Sequence, residues 1–218
     1  MTNKPNVILM DGDTERYLIN PEFDKLLTDS IKSIETYISS NTGKGKEDSE
    51  KDSLYQEAQK RWKELQNNLV NTKFNFHLNK AEFLFLEGLL TSYLEYDVNT
   101  IFFALELDSY LKTLGKMKFL NDNELKSIEV NTTEITYIYH LISKHKVKGL
   151  GHGSRNFAKI LIKIGDISKL INYYDQTAKD LATDIQNWVA SFDDNVSIED
   201  MSVETEIVET EIVVEENI

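Results

Sequence analysis

Two stretches of this chain, residues 76–91 and 128–143, carry one pattern 52 positions apart, and that echo narrows the possible folds more than any other feature. The shift superposes Phe76 on Ile128, Leu78 on Val130, Asn79 on Asn131, Glu82 on Glu134 and Phe83 on Ile135. Leu86, Leu89 and Leu90 then fall on Ile138, Leu141 and Ile142. In each copy two apolar residues at period two read as a short strand. An Asn follows where a helix must begin. Its side chain can accept from an orphan backbone amide, and the Glu three residues on can answer the Asn's own amide, which is a capping box with Asn in place of Ser. Apolar residues then recur at i, i+3 and i+7, the stripe of a helix with one buried face.

Each copy goes on through a connection to a second helix, residues 100–114 in the first and 154–164 in the second, so the repeated unit is strand, helix, helix. Ahead of the copies, residues 1–20 are expected to be irregular. Asn20-Pro21 opens a helix with the stripe Phe23, Leu27, Ile31, Ile34 and Ile38. Residues 40–52 contain no apolar side chain and read as a mobile connection. A second helix over 53–70, with Leu54, Ala58, Trp62, Leu65 and Leu69 on one stripe, would close an antiparallel helical hairpin. After the copies, the longest helix is expected to open at Asp166. Its residues Ile171, Tyr174, Ala178, Leu181, Ile185, Trp188 and Phe192 alternate steps of three and four, the spacing of helices that wind about one another. Packing on the amino-terminal hairpin within one monomer is the preferred account of that stripe, with self-association as the alternative.

The fold class that follows is mainly α. It is a helical bundle with a duplicated strand-helix-helix unit, at most a small β element, and a disordered acidic carboxy-terminal tail. The organisation is an amino-terminal segment and hairpin at 1–70, the duplicated core with its long helix at 71–192, and the tail at 193–218. An apolar fraction of 40% can supply a core for 218 residues. Cysteine is absent, which removes disulfides, thiolate metal sites and cysteine nucleophiles together. Nothing at the amino terminus resembles a signal peptide and no apolar run is long enough to cross a bilayer, so a cytoplasmic protein without membrane contact is expected. The bias towards Lys, Asn, Ile and Glu fits an AT-rich bacterial or phage genome, and in the latter case the virion is a second location.

The net charge of -13 is local. Residues 193–218 hold ten acids and no Lys or Arg, which leaves 27 acids against 24 bases in the rest of the chain. Within the tail, Val203-Glu-Thr-Glu-Ile207 is followed at once by Val208-Glu-Thr-Glu-Ile212, an alternation of β-branched and acidic residues that suits a strand. Val203, Ile207, Val208 and Ile212 are therefore candidate partner-binding residues, by strand addition to an open sheet edge. Folding of the tail across the chain's own basic run, or plain solubilisation, are the other uses.

That basic run, residues 140–165, has no acid and six bases. Lys144, Lys146, Lys148, Gly151, His152, Arg155, Lys159 and Lys163 form a candidate anion or nucleic-acid site, because glycines ahead of a helix let backbone amides converge while lysines complete the field. The pattern is neither a Walker loop nor a dinucleotide fingerprint. A connection whose lysines are a solvated face is the preferred account of it. Near the amino terminus, Asp11-Gly-Asp13-Thr14 after an apolar run resembles the strand-end Asp pair of haloacid-dehalogenase-type phosphotransferases. The Thr stands one position early, however, and alternating strands and helices do not follow. A solvated turn is the better account, and metal-dependent phosphotransfer at Asp11 and Asp13 is a distant possibility. The four histidines have no metal-ligand spacing and no Ser-His-acid set is recognisable, so no catalytic residue, metal or cofactor is assigned. The expected function is a non-enzymatic assembly or adaptor protein that binds a protein partner or itself. The alternative is a nucleic-acid-binding protein that uses residues 144–163 under restraint by the acidic tail.

Overall fold

In the computed structural model the chain is mainly helical, with two small antiparallel sheets. The structure describes residues 3–11, 14–92, 119–143 and 151–192, together with Ile101, Leu105, Asp108, Ser109 and Lys112. The expected disordered tail lies outside the described residues, as do most positions of the helix expected over 100–114, of which the five isolated residues just named are helical.

The first correction concerns residues 1–20. They form a hairpin, β1 (Ile8–Asp11) and β2 (Thr14–Tyr17), with Asp11 opposite Thr14. Only Gly12-Asp13 separates the strands, and Gly-Asp between two short runs is a hairpin signal in its own right.

Helix α1 (Pro21–Ser40) is capped as expected, the Asn20 side chain accepting from the Glu22 amide, 2.9 Å. Helix α2 (Asp48–Asn71) starts five residues ahead of the expected Ser53. Its extra turn is charged, with Asp48 and Glu50 where the helix dipole favours acids, so exposure there costs little. The connection shrinks to residues 41–47 and is anchored at one point: Gly43 is buried under the Phe192 ring, so close that a Cβ would lie 2.2 Å from it, while Thr42 and residues 44–47 are exposed. Cross-bonds from Arg61 to Ser33 and from Asn68 to Ser30 show the two helices running antiparallel.

Strand β3 (Phe74–Leu78) leads into α3 (Lys80–Ser92), and β4 (Lys126–Val130) leads into α4 (Thr132–Ser143). The strands pair antiparallel with Phe76 directly opposite Ile128, the very residues that the 52-position shift equates. The ladder thus has a local two-fold axis at its centre, as a duplicated unit pairing with itself would.

The second correction concerns the expected break at Asp166. A single helix, α5 (His152–Ala190), spans 39 residues, about 58 Å at a rise of about 1.5 Å per residue. Phe157, Ile160, Ile164, Ile167, Ile171, Tyr174, Ala178, Leu181, Ile185, Trp188 and Phe192 continue one alternation of threes and fours straight through Gly165. One helical Gly costs about 1 kcal/mol, far less than the burial that this continuous stripe gains. Most of those side chains are buried within the monomer, with Phe157 and Trp188 partly buried against the same cluster. The carboxy-terminal part of α5 runs beside α1 and α2, where Trp62 Nε1 donates to Ala178 O (3.0 Å) and Trp188 Nε1 to Asn41 O (2.9 Å). The same helix also meets α3, α4 and β3, with Asn156 and Lys163 of its amino-terminal part reaching α3. No helix among the described residues is long and apolar enough to cross a membrane.

Candidate functional site

The polar groups that burial makes expensive lie at the starts of α3 and α4. Asn79 N donates to Glu82 Oε2 and Glu82 N to Asn79 Oδ1, both at 2.9 Å. Asn131 and Glu134 repeat the exchange at 2.6 and 2.8 Å. Both capping boxes read from the sequence are therefore formed, and both glutamates are buried. A buried carboxylate needs a counter-charge. For Glu82 it is Lys163 of α5, Nζ to Oε2 2.5 Å, and for Glu134 it is Lys73 at 4.0 Å.

That contact reassigns one residue of the basic run. Lys163 is half-buried and neutralises Glu82 instead of facing solvent. Arg155 and Lys159 are exposed on the first turns of α5. Gly151 is the N-cap and supplies no side-chain hydrogen bond, no acid occupies the first turn, and His152 is the first helical residue. Lys144, Lys146 and Lys148 lie outside the described residues, and so do Val203, Ile207, Val208 and Ile212. Asp11 ends β1 and Asp13 is outside the description. Among the described residues no group of three or more His, Asp or Glu is placed to hold a metal.

A cleft of about 410 Å³ opens beside the start of α1, lined among others by Lys4, Tyr17, Ile19, Lys25 and Lys32. At its edge Lys4 Nζ donates to both oxygens of Asp24, 2.7 and 2.9 Å, and the Tyr174 hydroxyl donates to Asp24 Oδ1, 2.5 Å. Burial, and then the Asp24 hydrogen bond, pushes the Tyr174 phenol far above its ordinary range. All three polar groups are thus spent on one another. They tie the amino-terminal segment to α1 and α5, chain positions 20 and 150 residues apart, and no local pattern announces such a contact.

The β3–β4 sheet has two edges that differ. On the β3 side, Asn75 N donates to Leu18 O (2.9 Å), and Ile19 bridges Phe74. Asn75 Nδ2 and His77 Nε2 both meet Tyr17 O at 3.0 Å, where the carbonyl accepts, so His77 carries its proton on Nε2. Since Asn75 turns its backbone amide outward, alternation along an antiparallel ladder aims the backbone groups of Phe74, Phe76 and Leu78 at β4. It also leaves the amides and carbonyls of Ser127 and Glu129 on the outer side of β4. Among the described residues no strand pairs with that side.

No protein-family model, curated protein or solved structure matches this chain.

Proposed function

We propose that this chain is a non-enzymatic protein-protein interaction protein, an assembly component or adaptor. The observation that carries the reading is the outer edge of β4. It turns the amides and carbonyls of Ser127 and Glu129 outward, with no strand among the described residues paired to them and the buried side chains of Ile128 and Val130 behind, and such an edge recruits extended segments. Supporting it, the buried carboxylates Glu82 and Glu134 and the Tyr174 hydroxyl are satisfied by groups that hold elements together. Such groups are poorly suited to exchange protons with a substrate.

The test compares the full chain with a version ending at Asn195 in light scattering and in affinity purification from native cells. The expected result is a mass above that of the 25.2 kDa monomer, or a protein retained in stoichiometric amount, by at least one version. Two monomers that retain no protein would overturn the reading.

A nucleic-acid-binding role is favoured by one observation. Arg155 and Lys159 are exposed beside a helix start that no acid or side-chain cap neutralises. It predicts salt-dependent binding to DNA or RNA that weakens in Arg155→Ala with Lys159→Ala. Unchanged binding in that double variant would remove it.

A further inference from the structure

The outer edge of β4 is short, and both of its ends are fixed. Ser127 and Glu129 are exposed, and their amides and carbonyls point away from β3. Beyond Glu129 the next outward amide belongs to Asn131, and the Glu134 carboxylate already accepts from it at 2.6 Å. Ahead of Ser127 the next outward position is Leu125, which precedes the strand. The outer edge of β1 is closed by contrast. Alternation from the bond between Leu18 N and Val7 O turns the Ile8 amide outward, and Asn6 Oδ1 accepts from it at 3.1 Å. Among the described residues no hydrogen bond does the same for the amides of Ser127 and Glu129.

A strand that adds to this edge can therefore bond at two residues only, and β4 itself presents that same pair of residues. We propose that a second copy of this chain is the occupant, with the two β4 strands antiparallel about a two-fold axis midway between their Ile128 residues. In that register Ser127 exchanges both backbone hydrogen bonds with Glu129 of the partner subunit, and Glu129 does so with the partner's Ser127. Every outward group of each edge is then used. Ile128 meets the partner's Ile128 in the closer, non-hydrogen-bonded position between them. The Ser127 hydroxyl lies across from the carboxylate of the partner's Glu129, a neutral donor opposite an acid.

The two neighbouring registers that keep outward groups facing each other fail. One sets Glu129 against the partner's Glu129 and Ser127 against the partner's Asn131, whose amide is already taken. The other sets Glu129 against the partner's Leu125, outside the strand. Pairing in the favoured register turns two sheets of two strands, each marginal by itself, into one of four, with Phe76 and Ile128 of both copies along one buried face. The proposal rests on the reading of the β4 edge as a docking site and names what docks there.

Sedimentation equilibrium and residue-specific amide exchange on the full chain test this together. The mass is expected to rise from 25.2 kDa towards twice that value as protein concentration increases. Over the same range the Ser127 and Glu129 amides are expected to exchange about tenfold more slowly, with Phe76 unchanged as the internal control. Ser127→Pro removes an outward donor and no bond to β3, so it should leave the urea midpoint of the monomer nearly unchanged and abolish the dimer. Ser127→Glu sets two acids opposite each other at both symmetric positions and should weaken the dimer about tenfold, and adding Glu129→Lys should restore it. A dimer that persists in Ser127→Pro, or one whose Ser127 and Glu129 amides exchange as fast as the monomer's, would overturn the edge. Equal dimerisation by Ser127→Glu and the parent, or no rescue by Glu129→Lys, would overturn the register. A monomer at every concentration would overturn the proposal, and retention of a protein from native cells by that monomer would leave the adaptor reading standing.

Discussion

The two copies of the strand-helix unit agree where the contact is local and diverge where it is distant. Asn79 with Glu82 and Asn131 with Glu134 close the same pair of hydrogen bonds, because a capping box needs only residues three apart. The countercharges come from elsewhere, and they differ: Lys163 sits at 2.5 Å from Glu82, on a helix 81 residues away, whereas Lys73 stays 4.0 Å from Glu134. The covering of the strands differs in the same sense, with Tyr17–Ile19 on β3 and no described counterpart on β4. The repeated pattern fixes the local geometry of each unit, and its neighbours then decide what surrounds it. Among the described residues the copy containing β4 is the one whose outer edge has no partner strand.

Removing the two capping glutamates should break the symmetry by the largest margin. Glu82→Ala opens a cap and also leaves the half-buried Lys163 ammonium without its carboxylate, a loss of about 3 kcal/mol. Glu134→Ala opens the equivalent cap, but Lys73 is more exposed and already at a distance, so about 1 kcal/mol is expected. Urea unfolding of both variants checks the pair, and equal losses would mean that the Lys163 contact contributes nothing to stability.

A smaller effect tests the covering of β3, which depends on the latch joining Lys4, Asp24 and Tyr174. Tyr174→Phe removes one buried hydrogen bond to a carboxylate, about 1.5 kcal/mol at neutral pH. The effect has a pH signature. Folding raises the phenol above its unfolded value of about 10, so the stability it contributes is complete below that pH. It is lost as pH rises through and beyond that value, where the unfolded chain gives up a proton that the folded chain retains. The parent should therefore lose stability more steeply than Tyr174→Phe between about pH 10 and pH 11.5, and parallel curves would exclude burial of the hydroxyl.

What could be read from the sequence follows the same division between near and far. The caps, the strands β3 and β4 taken singly and the stripes of α1 and α5 were legible, because each is a pattern within one turn or a few residues; the pairing of the two strands was not. The hairpin β1–β2 was also written locally. Its Gly12-Asp13 turn lies inside the more conspicuous acidic motif Asp11-Gly-Asp13-Thr14, which masks the four-residue strands on either side. The unity of α5 was hidden by Gly165-Asp166, which imitates a helix stop followed by a cap, although Ile164, Ile167 and Ile171 keep the stripe in phase across it. That β3 and not β4 is covered among the described residues could not be read at all. It depends on which strand Tyr17–Ile19 happens to cover, and the residues concerned are 55 or more positions apart. The fate of Lys163 was equally hidden, since a lysine in a basic run looks like its neighbours until a buried glutamate 81 residues away claims it.

The smallest effect concerns a position where the copies differ in residue. Gly88 of α3 falls on His140 of α4 in the 52-position alignment, and a Cβ built at Gly88 meets nothing within 4 Å. Gly88→Ala therefore restores side-chain bulk without a clash and removes backbone freedom from the unfolded chain. The expected gain is about 0.5–1 kcal/mol, seen as a higher urea midpoint at unchanged slope. The same change would bring α3 closer to α4 in intrinsic helix stability. A loss in place of the gain would mean that α3 lies against a neighbour at this position.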